Sequence, residues 1–256
     1  LVWNSAIHRI LANEFGAIYD ICMTTLITQP VTSTDTPGSP PAPAPVVASE
    51  ESRFLMHNIT WEEYIKIGDI FTDRPGLRIT YDRGTLEFMS TSPRHERYKY
   101  WLGRFFDVLA EELQTPFVPG GAMTFQREDL DRGFEPDDCY WVQNESAVRD
   151  KLTWDPAIDP PPDLMIESEV SRSAVARMSI FAAFRIREIW CFDGEELRIY
   201  LLQQDGTYQL SERSLAFPTI AVKELAKFVP PTGNQDILKA IAAVRTWVRS
   251  IIAKPS

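Results

Sequence analysis

GFEPDDCYWV (Gly133–Val142) and PPPDLMIESEV (Pro160–Val170) are the two stretches on which the fold of this chain turns. Each places carboxylates at or inside a short apolar run that reads as a β-strand, where a core-building sequence avoids charge. Successive side chains of a strand point to opposite faces. Asp163, Met165, Glu167 and Glu169 therefore share one face, while Leu164, Ile166 and Val170 occupy the other. Carboxylates gathered on one side of a strand repel one another, and holding them together costs free energy unless water, a cation or a basic group compensates. A hard divalent ion is the simplest compensation, because Mg²⁺ takes one or two carboxylates together with waters and phosphate oxygens. Asp137, at the start of the other strand, is the natural cross-strand partner.

Working outward, WEEYIKIG after Thr60 reads as a helix, with Glu63 in the capping-box position. LRITYD and TLEFMS, joined at Arg83-Gly84, read as a hairpin because glycine supplies the positive φ of a tight turn. Ser92-Pro93 opens the longest predicted helix, about 93–114, with Tyr98, Trp101, Leu102, Phe105, Val108, Leu109 and Leu113 at helical spacing as its buried stripe. AMTFQRE predicts a strand, Pro160-Pro161-Pro162 launches the strand with Glu167, a helix is expected over 173–184, and EIWCFD forms a further strand. A second hairpin turns at Asp205-Gly206, and a last helix spans 236–252.

The composition bounds what this arrangement can be. In 256 residues, 44% hydrophobic and 24% charged, no apolar run approaches the ~20 residues of a membrane span, so no membrane association is expected. A net charge of −10 argues against standing DNA binding through a broad basic face, but leaves room for an acidic site that attracts phosphate once a metal is bound. Cys22, Cys139 and Cys191 lie far apart without metal-binding spacing, and a reducing, cytoplasmic setting is expected. Residues 1–52 read as a disordered extension and Pro/Ala/Ser/Thr-rich linker, 53–232 as one domain, and 233–256 as a C-terminal helix. Met23 looks like a natural start, so residues 1–22 read as upstream sequence; an intact mass from the native source that includes them would refute this.

The order helix, strand, strand with Asp137, strand with Glu167, helix, strand resembles the αβββαβ core of the PD-(D/E)XK nuclease superfamily. Within it the chain is similar to the Uma-two family of restriction-endonuclease-like proteins. The segments that carry this similarity are ITWEEY (59–64), RITYDRGTLEFMSTSPRHE (78–96), GFEPDDCYWVQN (133–144), DPPPDLMIESE (159–169), and IREIWCFD (186–193) followed by LRIYLL. The resemblance implies an α/β fold with a mixed central sheet, flanking helices and extra β-hairpins. It also implies phosphodiester hydrolysis of transiently bound DNA with Mg²⁺ or Mn²⁺, and a homodimer is expected because duplex cleavage addresses two strands. By the same resemblance Asp137 and Glu167 are metal ligands, Asp163 a further ligand candidate and Glu169 a further catalytic candidate. Glu87, His95 and Glu96 are near neighbours. The pattern departs at Glu167-Ser168-Glu169, where the family places a lysine. Arg172 or Arg177, His95, or the metal alone could fill that role, or the protein binds without cutting. An unrelated metal-dependent hydrolase of small phosphoesters is the remaining alternative. Taken singly, Asp163 after Pro162 also suits a turn, Glu169 a solvent-facing strand end, His95 a surface position, and Glu135 a brace for the loop before Asp137.

Overall fold

The computed structural model describes residues 52–71, 74, 76–156, 158–168, 176–230 and 236–253. The expected extension up to residue 51, Glu169 and Arg172 lie outside them.

Local chemistry sets the first elements. β1 (Arg53–His57) leads into α1 (Trp61–Phe71). Its start is closed reciprocally: the Glu63 N–H donates to the Thr60 hydroxyl at 3.3 Å, and the Thr60 N–H donates to the Glu63 carboxylate at 2.8 Å. β2 (Leu77–Asp82) and β3 (Thr85–Ser90) form the expected hairpin, whose two turn residues Arg83 and Gly84 take φ of 47° and 86°. The long helix α2 (Pro93–Leu113) is capped by Ser92, whose hydroxyl accepts the His95 N–H at 3.1 Å, and it ends at Gln114 in the left-handed region. Its stripe is buried as the spacing requires, down to a half-buried Leu113 at its end, and Phe106 is buried beside it, stacked on Tyr140 with ring centroids 3.8 Å apart.

The strands divide between two sheets. The central sheet has six strands in the order β11-β10-β9-β8-β7-β4: β4 (Val118–Pro119), β7 (Asp138–Trp141), β8 (Leu164–Ser168), β9 (Glu188–Phe192), β10 (Leu197–Leu202) and β11 (Tyr208–Ser211). β7 and β8 are antiparallel, whereas β8 and β9 are parallel and are connected through the helix Arg177–Ala183, so the sheet is mixed. The other sheet, β1-β3-β2-β6-β5, contains the hairpin together with β5 (Phe125–Arg127) and β6 (Arg132–Phe134). Taken along the chain, α2, β4, β7, β8, the Arg177–Ala183 helix and β9 make the αβββαβ core, with β5 and β6 as an excursion into the second sheet. The strand expected over AMTFQRE forms only at its Phe125–Arg127 end, and β4 and β6 are two and three residues long, too short to show a period. Gly133–Val142 thus crosses from one sheet to the other, and Glu135-Pro136-Asp137 is the crossing point.

Both faces of β8 are covered, so all five of its residues are buried. Leu164 and Ile166 pack with α2 and with Trp190 and Phe217. Met165 packs on the opposite face with Cys139, Phe125 and Phe134, and with Ile180 and Phe181 of the Arg177–Ala183 helix. Each such large apolar side chain contributes on the order of 1.5–3 kcal/mol by leaving water. Call α3 the short helix Glu145–Val148, α4 the helix Arg177–Ala183 and α5 the last helix, Ile237–Ile252. α5 adds Ala240, Val244 and Val248 to the core that α2 builds. Among the described residues no helix is long and apolar enough to cross a membrane.

Candidate active site

β7 pairs with β8 so that Asp138 faces Ile166 and Cys139 faces Met165, a register that continues to Asp137 opposite Glu167. The neighbouring Asp138 points the other way, toward α2, where it accepts the Tyr140 hydroxyl at 2.5 Å. Asp137 and Glu167 are 2% and 3% exposed, so both carboxylates lie inside the protein rather than on a wet strand end.

Asp137 is fully engaged. The imidazole Nε2 of His95 lies 2.8 Å from Oδ1, and an ionised carboxylate can only accept, so Nε2 carries the hydrogen. Oδ2 accepts both the backbone N–H and the hydroxyl of Ser168, each at 2.7 Å. Burial alone would raise this carboxyl, but these bonds and the His95 charge outweigh it and hold Asp137 at about 2. His95 can do this because the Ser92 cap fixes the first turn of α2 over the strand end. Its ring is 1% exposed, not on the surface.

Glu167 is held differently. One guanidinium nitrogen of Arg177, the first residue of α4, donates to both of its oxygens at 3.0 and 2.9 Å and to the Glu135 carbonyl at 3.2 Å. The second terminal nitrogen donates to the Thr80 hydroxyl on β2 at 3.0 Å. Burial pushes the Glu167 carboxyl up to about 7; the Arg177 charge pulls it back and the Asp137 charge adds to the rise. Arg177 itself is kept protonated by Glu167, with Asp137 and Glu87 adding to the effect against the cost of burial. Among the described residues its buried Nε has no partner.

One further group closes the cluster from the hairpin. Glu87 sits directly opposite Thr80 across the β2/β3 ladder, is 1% exposed, and accepts from Arg53 of β1 at 3.0 Å. The site therefore lies in the seam between the two sheets, with β7, β8, α2 and α4 on one side and the hairpin on the other.

Other expected residues are placed elsewhere. Asp163 sits at the opposite end of β8 from Glu167. There its carboxylate accepts the Val142 and Asn144 N–H groups at 2.9 and 2.8 Å and the Asn144 amide at 2.8 Å. It holds the turn that follows β7 and is not brought to Asp137 and Glu167, because four residues of strand span roughly 13 Å. Glu96 is exposed on α2. Glu135 meets the cluster through its carbonyl, while its side chain is 4.0 Å from Arg78. Thr80 and Ser168 gave no signal in the sequence; Thr80 looks like any β-branched strand residue, and only the ladder register brings it opposite Glu87.

The donor set suits a hard cation: two carboxylates from adjacent strands, with oxygen as their only ligating atom. Among the described residues no third ligating side chain converges with them, which leaves the remaining positions to water and phosphate, as Mg²⁺ commonly does. In their place Arg177 supplies the compensating positive charge.

A mixed sheet with an αβββαβ order, carrying two buried carboxylates where the antiparallel strands β7 and β8 adjoin, defines a restriction-endonuclease-like α/β protein. The family model named Uma2 and described as "Putative restriction endonuclease" matches residues 61–228, and the chain belongs to that family. No curated protein matches the chain.

Proposed function

We propose that this protein is a DNA endonuclease that hydrolyses phosphodiester bonds with Mg²⁺ or Mn²⁺ held by Asp137 and Glu167. The observation that carries this reading is their position: two buried carboxylates, Asp137 just before β7 and Glu167 near the end of the antiparallel β8, with a buried guanidinium on Glu167. When bound, a divalent ion would polarise the scissile phosphate and lower the pKa of an attacking water. The chain's own residues do the rest. His95 and Ser168 keep Asp137 ionised and fix its orientation, so that a ligand is ready without rearrangement. The position of the pattern's lysine holds Glu169, and Arg177 of the following helix is the basic group that reaches Glu167. Arg177 remains protonated, so it serves as a phosphate contact and a source of positive charge, not as a base. His95 acts through Asp137 and is a positioning residue.

The test is cleavage of mixed DNA substrates with Mg²⁺ or Mn²⁺ by the parent, Asp137→Asn and Glu167→Gln, which keep side-chain size in a buried site. Loss of about 10²-fold or more in rate is expected for each, and equal cleavage by all three proteins would reject the site. Glu169→Gln in the same assay decides whether that carboxylate takes part. Sedimentation of the protein with and without duplex DNA tests the expected pairing of two chains.

A second reading, a nuclease fold that binds DNA without cutting, is favoured by one observation: Glu167 is neutralised by Arg177, and no third ligand joins it among the described residues. Binding without cleavage under either metal would establish it.

A further inference from the structure

Arg177 is 6% exposed and its guanidinium faces two sides of the seam. One terminal nitrogen rests on Glu167, the proposed metal ligand; the other rests on Thr80, and Glu87 lies directly across the ladder from Thr80. The seat on Glu167 is incomplete, since among the described residues the buried Nε–H has no partner, and an unmet buried donor is unfavourable. A guanidinium and a divalent cation at Glu167 also compete for the same lone pairs and repel each other at close range.

We propose that Thr80 and Glu87 are positioning residues for Arg177: together they form a second seat on the hairpin, to which the guanidinium withdraws when a cation takes its place at Glu167. This rests on the metal-dependent reading of the site and adds to it a means by which the second sheet serves the chemistry. Glu87 can receive the guanidinium although Arg53 already donates to it, because a carboxylate has room for about four hydrogen bonds. Thr80 already accepts from Arg177, and its hold on the guanidinium strengthens in the withdrawn seat, where Glu167 no longer shares the group. The hairpin sheet, otherwise remote from the strands that carry the ligands, thereby sets how readily Glu167 is released. Glu167 is never left as an uncompensated buried charge, since one cation leaves only as the other arrives.

The experiment measures Mn²⁺ uptake directly, by the electron paramagnetic resonance signal of free Mn²⁺, and so does not depend on cleavage. Four proteins are compared: the parent, Arg177→Met, Thr80→Val and the double variant. Melting curves confirm that each is folded. Arg177→Met removes the competing charge and should bind Mn²⁺ about tenfold more tightly than the parent. Thr80→Val should bind it several-fold more weakly than the parent. In the Arg177→Met background, where there is no guanidinium to seat, Thr80→Val should have no effect. A purely structural role for Thr80 would weaken binding equally in both backgrounds and would overturn the proposal, as would unchanged or weaker binding by folded Arg177→Met. Thr80→Ser, which keeps the hydroxyl, should restore the parent affinity. If neither the parent nor Arg177→Met takes up Mn²⁺, the metal reading fails and this inference with it. Uptake with equal affinity by both leaves the metal reading standing and removes only the second seat.

Discussion

A Cβ built on Gly133 would lie 2.1 Å from the Tyr64 hydroxyl oxygen and 2.6 Å from the ring carbon that bears it. The ring cannot give way, because it stacks on Tyr81 with centroids 4.7 Å apart and planes only 5° from parallel. Gly133→Ala is therefore expected to lower stability by roughly 1–3 kcal/mol through overpacking. Gly206→Ala is the control: its φ is +81° but nothing lies within 4 Å, so only backbone strain of about 1 kcal/mol applies. Urea unfolding of the two variants checks this, and a smaller effect at Gly133 would contradict the packing argument. Tyr64 carries a second expectation. Burial pushes its hydroxyl up to about 12 from 10.0, the Gln126 hydrogen bond opposing and the Glu135 charge adding. A group whose folded pKa is raised favours the folded state fully below the unfolded value, and that contribution is lost as pH rises through the folded one. Between pH 10 and 12 the parent should lose stability relative to its value at pH 9, and Tyr64→Phe should lose less over the same interval.

At the scale of elements, α2 decides most of the architecture, since it covers one face of the central sheet and presents His95 to the seam. Phe106 is its tightest contact, stacked on Tyr140 and edge-on to Phe117 and Phe217 at 5.0 and 5.3 Å. Phe106→Ala should cost on the order of 3–5 kcal/mol, read as a lowered urea midpoint at unchanged slope. That helix was legible in the sequence: Ser92-Pro93 marked its start and the aromatic spacing its buried face, although Phe106 fell outside the stripe. The β2/β3 hairpin was equally legible, because Arg83-Gly84 leaves few other turns available. The pairing of Asp137 with Glu167 was readable for a related reason, since carboxylates inside apolar strands contradict a local rule and so draw notice. What stayed hidden depends on contacts between distant segments. Arg177 was one candidate for the missing basic group, but its contact with Thr80, 97 residues away, leaves no local pattern. Strands as short as β4 and β6 exist only because a neighbouring strand supplies their hydrogen bonds, so no periodicity could announce them. Asp163 shows the converse case, a carboxylate that draws notice by the same rule yet holds a turn.

Charge acts on the whole molecule. A chain with net charge −10 meets a polyanion with long-range repulsion, so its affinity for duplex DNA in the presence of a chelator should be low. On the proposed reading, a divalent ion at Asp137 and Glu167 would change the local sign where phosphate is to sit, and the ion and the DNA would bind with reciprocal coupling. Ca²⁺ separates binding from cleavage, because it occupies oxygen sites with longer bonds and a looser geometry than Mg²⁺. Fluorescence anisotropy of a labelled duplex at fixed salt should show affinity on the order of tenfold or more higher with Ca²⁺ than with chelator. By linkage, duplex DNA should tighten Ca²⁺ binding by the same factor. Asp137→Asn should abolish both effects together, since it removes a ligand without altering the distribution of charge elsewhere on the molecule. Equally tight DNA binding with chelator, or a Ca²⁺ effect that persists in Asp137→Asn, would mean that DNA is held by another surface and that the seam is not where phosphate arrives.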